Sequence, residues 1–83
     1  MKKSGITFAE LRELLLDLGF GEVKEKTRIR FTFPTLGTVL LFRPHRAKEN
    51  VLARDMIVVR RQLVDNGLIK ESEFDRFLHK ASA

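Results

Sequence analysis

Residues 27–33 alternate without a break. Thr27, Ile29, Phe31 and Phe33 fall on one parity, and Arg28, Arg30 and Thr32 on the other. Successive side chains of a strand point to opposite faces, so the apolar set meets a core while the two guanidinium groups stand outside. A slip of one residue would bury both arginines, at a cost that fixes the register. Pro34-Thr35-Leu36-Gly37 comes next as a hairpin turn, with Pro setting its entry and Gly its exit. Thr38–Phe42 is then a short, almost wholly apolar strand. The rest of the chain must pack around this hairpin.

Upstream, Thr7-Phe8-Ala9-Glu10 has the form of a capping box. Phe8, Leu11, Leu14, Leu15 and Leu18 recur at helical spacing and Gly19 supplies a left-handed stop, which predicts a helix over Phe8–Leu18. Residues 21–26 are polar apart from Val23 and read as a weak edge strand. Downstream, residues 43–50 read as a loop with Asn50 as an N-cap. A second helix is expected over residues 51–66, burying Leu52, Met56, Val59 and Leu63 and ending at Gly67. Ser72-Glu73-Phe74-Asp75 opens a short third helix with Phe74, Phe77 and Leu78 on one side. A chain of 83 residues buries only about 60% of its unfolded surface, so these three apolar anchors are expected in the core. The expected fold is α+β, an α-β-β-β-α sandwich formed by one domain over residues 1–83. Its three-stranded antiparallel sheet carries helices on one face, with a short C-terminal helix after them.

The charge is distributed unevenly. Residues 26–48 contain Lys26, Arg28, Arg30, Arg43, Arg46 and Lys48 and no acid, whereas the remaining chain has ten basic residues and eleven acidic ones. The net charge of +5 therefore resides in this window, and a single-sign field implies an anionic partner. Arg28 and Arg30 on an open sheet face, with Arg43, Arg46 and Lys48 in the adjoining loop, are the expected footprint of a phosphate-backbone binder. Arg54 and Arg61, one heptad apart on the second helix, either extend that footprint or form the helix's polar face. The cluster lies on strand-like sequence rather than an amphipathic helix, which disfavours a membrane surface, and no apolar run approaches a membrane span. Met1-Lys2-Lys3 resembles the lead of a signal peptide, but Glu10, Arg12, Glu13 and Asp17 break up the apolar run that a signal peptide needs after it. The absence of Cys excludes disulfides and thiolate ligands and fits a reducing cytoplasm, the expected location, or a compartment-neutral protein.

Few enzyme templates fit. There is no phosphate-cradling glycine loop and no metal-ligand spacing, so no cofactor is expected. His79 lies in a polar stretch and reads as a surface residue. His45, in Arg43-Pro44-His45-Arg46, reads either as a loop or phosphate contact or as a general acid or base for RNA cleavage, since imidazole titrates near neutral pH.

The opening helix with its Leu18-Gly19-Phe20 close, the strand pair around Phe31 and residues 39–42, Pro44-His45, and the helix through residues 59–63 ending Gly67-Leu68 together resemble the HicA (YcfA-like) toxin family. The resemblance spans residues 8–78. It implies a fold like that of double-stranded-RNA-binding domains, a metal-independent ribonuclease acting on mRNA in a type II toxin–antitoxin system, and an acidic HicB-like antitoxin as partner. Members carry a catalytic histidine in a Gly-Ser-His run three residues before the strand aromatic. Here that stretch is Lys26-Thr27-Arg28. An arginine stays protonated at neutral pH and cannot act as a general base. The expectation is thus a catalytically degenerate RNA-binding module contacting RNA through Arg28, Arg30, Arg43, Arg46 and Lys48. The alternatives are an active toxin-type ribonuclease using His45, or a module that docks the HicB-like partner.

Overall fold

The computed structural model describes residues 3–43, 46 and 48–82. Strand β1 (Lys3–Thr7) leads into helix α1 (Phe8–Leu18), and then come β2 (Gly21–Lys24), β3 (Ile29–Phe33), β4 (Thr38–Phe42), β5 (Asn50–Leu52), α2 (Ala53–Asp65) and α3 (Glu71–Ser82). β2, β3 and β4 form the expected three-stranded antiparallel sheet, with β3 central. β1 and β5 form a second, two-stranded antiparallel sheet that the sequence pattern did not reveal.

Helix α1 occupies the expected residues because both ends are set locally. The Thr7 hydroxyl accepts from the Glu10 backbone N–H at 3.2 Å, and the Glu10 carboxylate accepts from the Thr7 backbone N–H at 2.9 Å. This is the reciprocal capping box. At the other end Gly19 adopts φ +108°, the Phe20 N–H returns to the Leu15 carbonyl at 3.0 Å, and the Gly19 N–H reaches the Leu16 carbonyl at 3.1 Å. A Cβ at Gly19 would stand 3.3 Å from the Phe33 ring, so both backbone angle and close packing select glycine here. Thr7→Ala removes one half of the box and is expected to cost about 1 kcal/mol. The check is the shift of the urea midpoint at unchanged m-value.

The second helix begins later than its apolar spacing predicts. Val51 and Leu52 belong to β5, where Lys3 is paired with Leu52 and Thr7 with Asn50. Asn50 is therefore a strand residue rather than an N-cap. Leu52 stands in the cap position of α2 with no side-chain capping bond. Four steps of β1 face two steps of β5, and Gly5, at φ +82°, takes up the excess as a bulge. The helix ends at Asp65, with the Leu68 N–H bonded back to the Leu63 carbonyl at 2.9 Å. α3 is a twelve-residue helix rather than a short one.

One core joins these elements. Phe8 from α1, Phe31 from β3 and Phe42 from β4 form a three-ring cluster with centroids 5.8 to 6.3 Å apart. Leu11 and Leu15 of α1, Val59 and Leu63 of α2, and Phe74 of α3 complete it. Ile6 and Val51, from the small sheet, are also fully buried, so that sheet packs into the same core. The expected stripe of Met56, Val59 and Leu63 is buried, and Leu52 is buried from its strand. On the inner face of β2, Glu22 lies opposite Phe31, where a carboxylate needs a partner. Arg12 of α1 supplies it, its Nε donating to both Glu22 oxygens at 2.9 Å. That hydrogen bond, and then the attraction of opposite charges, raise the guanidinium pKa above its ordinary value. The pair ties α1 to the outer strand of the sheet.

Candidate functional site

The alternation of residues 27–33 is realised over β3. Ile29 and Phe31 are buried, Phe33 is half-buried against Phe20 and Gly19, and Arg30 and Thr32 occupy the opposite parity. Cross-strand register sets out the open face in two rows, Val23–Arg30–Leu41 and Gly21–Thr32–Val39. It is not uniformly basic, because Val23, Val39 and Leu41 are 44–52% exposed around Arg30.

Arg28 lies just outside β3, in the turn joining β2 to β3, rather than within the strand. The Glu25 N–H donates to the Arg28 carbonyl at 2.8 Å and closes this hairpin. Arg28 and Arg43 each sit one position beyond the last paired residues, Ile29 and Phe42. The sheet therefore brings Arg28, Arg30 and Arg43 to one end, and all three side chains reach solvent. The loop carrying Arg46 and Lys48, both exposed, leaves from the same end of β4. This loop is held at its far side, where the Glu49 carbonyl accepts from the Phe8 N–H at 2.8 Å. The Arg46 and Glu49 backbones are further joined, the Glu49 N–H donating to the Arg46 carbonyl at 3.0 Å.

Among the described residues Glu25 enters this face and Glu49 lies in the adjoining loop, its carboxylate accepting from the Arg46 backbone N–H at 3.3 Å, and a charge count over residues 26–48 misses both. Glu25 lies 3.4 Å from Arg28 Nε and 3.6 Å from Arg30 Nε. The hairpin places position 25 opposite position 28, so the carboxylate bridges both guanidinium groups. The sequence signal was the tight β2–β3 connection, which makes residues adjoining the basic run its neighbours. The exposed Arg28 pair contributes about 0–1 kcal/mol to stability, whereas in the Arg30 pair Glu25 Oε1 and Arg30 Nε are both shielded from solvent and, among the described residues, make no hydrogen bond. The larger effect of the two pairs is electrostatic, because Glu25 offsets half the charge of the two arginines it touches.

Pro44 and His45 lie outside the described residues. His79 is exposed on α3, its Nδ1 2.8 Å from the Asp75 carbonyl. Arg54 is paired with Asp55 at 3.9 Å, as the polar-face reading expects, and Arg61 is exposed on α2. Arg60, which the sequence did not single out, pairs with Glu71 and Asp75 of α3 and joins the two helices. Among the described residues no three His, Cys, Asp or Glu side chains converge as a metal site would require. No described helix is long and apolar enough to cross a membrane.

Comparison with known proteins yields no match to a family model, to a curated protein or to a solved structure.

Proposed function

We propose that this protein binds structured or double-stranded RNA through the basic end of its open sheet face, without efficient cleavage. The observation that carries this reading is the gathering of Arg28, Arg30 and Arg43 at one end of the sheet, with Arg46 and Lys48 in the loop that leaves it. Guanidinium groups bind phosphate oxygens with directed, charge-assisted hydrogen bonds. No phenylalanine occupies the two open-face rows, so stacking on unpaired bases has no platform there, and duplex phosphates fit the surface better than single strands. The order of α1, the β2–β3–β4 sheet and α2 supports an arrangement like that of double-stranded-RNA-binding domains, in keeping with the HicA resemblance. The β1–β5 pair would be an addition to it. Arg28 at the position of the family's catalytic histidine argues for binding rather than proton transfer. Such a role belongs in the cytoplasm, where mRNA is met.

The test is fluorescence anisotropy with a labelled RNA duplex of about 16 base pairs, the span that two successive minor grooves provide. Binding of RNA in preference to a DNA duplex of the same sequence, with the RNA intact after incubation, is the expected result. Absence of binding in low salt would refute the reading, and strand cleavage would replace it with a toxin-type ribonuclease. The same assay checks the Glu25 bridge. Glu25→Gln removes the offsetting charge, and affinity for the duplex is expected to rise about three- to tenfold at low salt. Unchanged affinity would remove Arg28 and Arg30 from the contact.

A further inference from the structure

Glu25 does more than lower the charge of the basic end. Its two carboxylate oxygens divide between two guanidinium groups, Oε2 lying 3.4 Å from Arg28 Nε and Oε1 3.6 Å from Arg30 Nε. Arg28 and Arg30 therefore converge on one point instead of spreading along the face. Arg43, one step past the Ile29–Phe42 pair, stands across the strands from Arg28 at the same end. The carboxylate marks an anion position, and it fills that position poorly. Its contact with Arg28 is long for a hydrogen bond. Glu25 Oε1 and Arg30 Nε are shielded from solvent and, among the described residues, have no hydrogen-bond partner. The Glu25 backbone is anchored, its N–H donating to the Arg28 carbonyl at 2.8 Å, while its side chain is partly exposed. Only that side chain has to rotate outward to yield the position.

We propose that Arg28 and Arg30, with Arg43 beside them, form a seat for the terminal phosphate monoester of an RNA strand, which Glu25 occupies until the phosphate displaces it. The inference rests on the RNA reading and assigns one end of the RNA to one place on the face. An internal phosphodiester carries a single charge and two unbridged oxygens, as the resident carboxylate does. A phosphate monoester carries about −1.5 to −2 charges at neutral pH and three acceptor oxygens. It matches two converging cations in charge, and its extra oxygen offers an acceptor to the Arg30 donor that the carboxylate leaves unmet. The planar fork of a guanidinium grips two oxygens of one phosphate, so two arginines aimed at one point hold a three-oxygen group better than a two-oxygen one.

Three labelled duplexes of about 16 base pairs, identical except at their ends, test this in the anisotropy assay. One carries a 5′-phosphate, one a 3′-phosphate, and one hydroxyl groups alone. A phosphate-ended duplex is expected to bind the unmodified protein about tenfold tighter than the hydroxyl-ended one. The end preferred, 5′ or 3′, gives the polarity of the strand on the face. Non-specific attraction changes little between the three, because a terminal phosphate adds at most two charges to a duplex that already holds about thirty. Replacing Arg28 and Arg30 together by Ala should abolish the preference. Glu25→Gln, which removes the resident charge, should tighten the phosphate-ended duplex more than the hydroxyl-ended one. Equal affinity for all three duplexes would overturn the proposal and leave the RNA reading standing. A preference that survives the loss of both arginines would also overturn it. Absence of binding by every duplex would overturn both.

Discussion

Phe31→Ala is expected to remove about 3–5 kcal/mol of stability. The ring is fully buried in the central strand and faces both Phe8 and Phe42 at about 6 Å. Truncation loses the transfer free energy of the ring, opens a cavity that β3 cannot collapse around, and breaks two of the three aromatic contacts in the cluster. A chain of this length typically has about 4–12 kcal/mol in hand, so the variant loses a large share of its stability and unfolds at much lower urea. Phe33→Ala, on the same parity but half-buried near the hairpin turn, should cost about 2 kcal/mol or less. Urea unfolding of both variants checks the order. A loss below about 1 kcal/mol at Phe31 would mean that the sheet register is wrong.

The second large effect is functional. Replacing Arg28 and Arg30 together by Ala should weaken duplex RNA binding about ten- to a hundredfold near physiological salt. Arg28 is exposed and Arg30 half-buried, and among the described residues both are paired to Glu25 through bridges of low worth to the fold, so stability should change by about 1 kcal/mol or less. The loss should be uniform across RNA sequences, because phosphate contacts carry no sequence information. A variant that binds normally would make the arginines merely solvated. One that discriminates among sequences would assign them to base edges.

The parts of the fold legible in the sequence are those whose signals are local. The Thr7–Glu10 box and Gly19 bracket α1 because capping needs only neighbouring backbone. β4 and the inner parity of β3 arise from alternation around a turn whose residues specify it. The β1–β5 sheet was hidden because its pairing joins positions nearly fifty residues apart. Val51 and Leu52 also satisfy the apolar spacing of α2, so periodicity alone assigns them to that helix. The basic site was legible as a group of residues but not as an electrostatic unit. Glu25 precedes the basic run in sequence and lies against it only because the hairpin folds back. Arg28 illustrates the same limit. Its outward placement was foreseen from parity, while its place in the turn depends on where β2 and β3 stop pairing. The exposure of Val39 and Leu41 comes from parity as well, but only once β4 is known to lie at a sheet edge.

The most direct test of the central claim is the salt dependence of duplex RNA binding by the unmodified protein. Each phosphate contact contributes about 0.9 to the slope of log affinity against log salt for a duplex, so Arg28, Arg30, Arg43, Arg46 and Lys48 acting together predict a slope between about −3 and −5. A slope shallower than about −1, or no measurable binding at about 50 mM salt, would contradict the assignment of this face to phosphate.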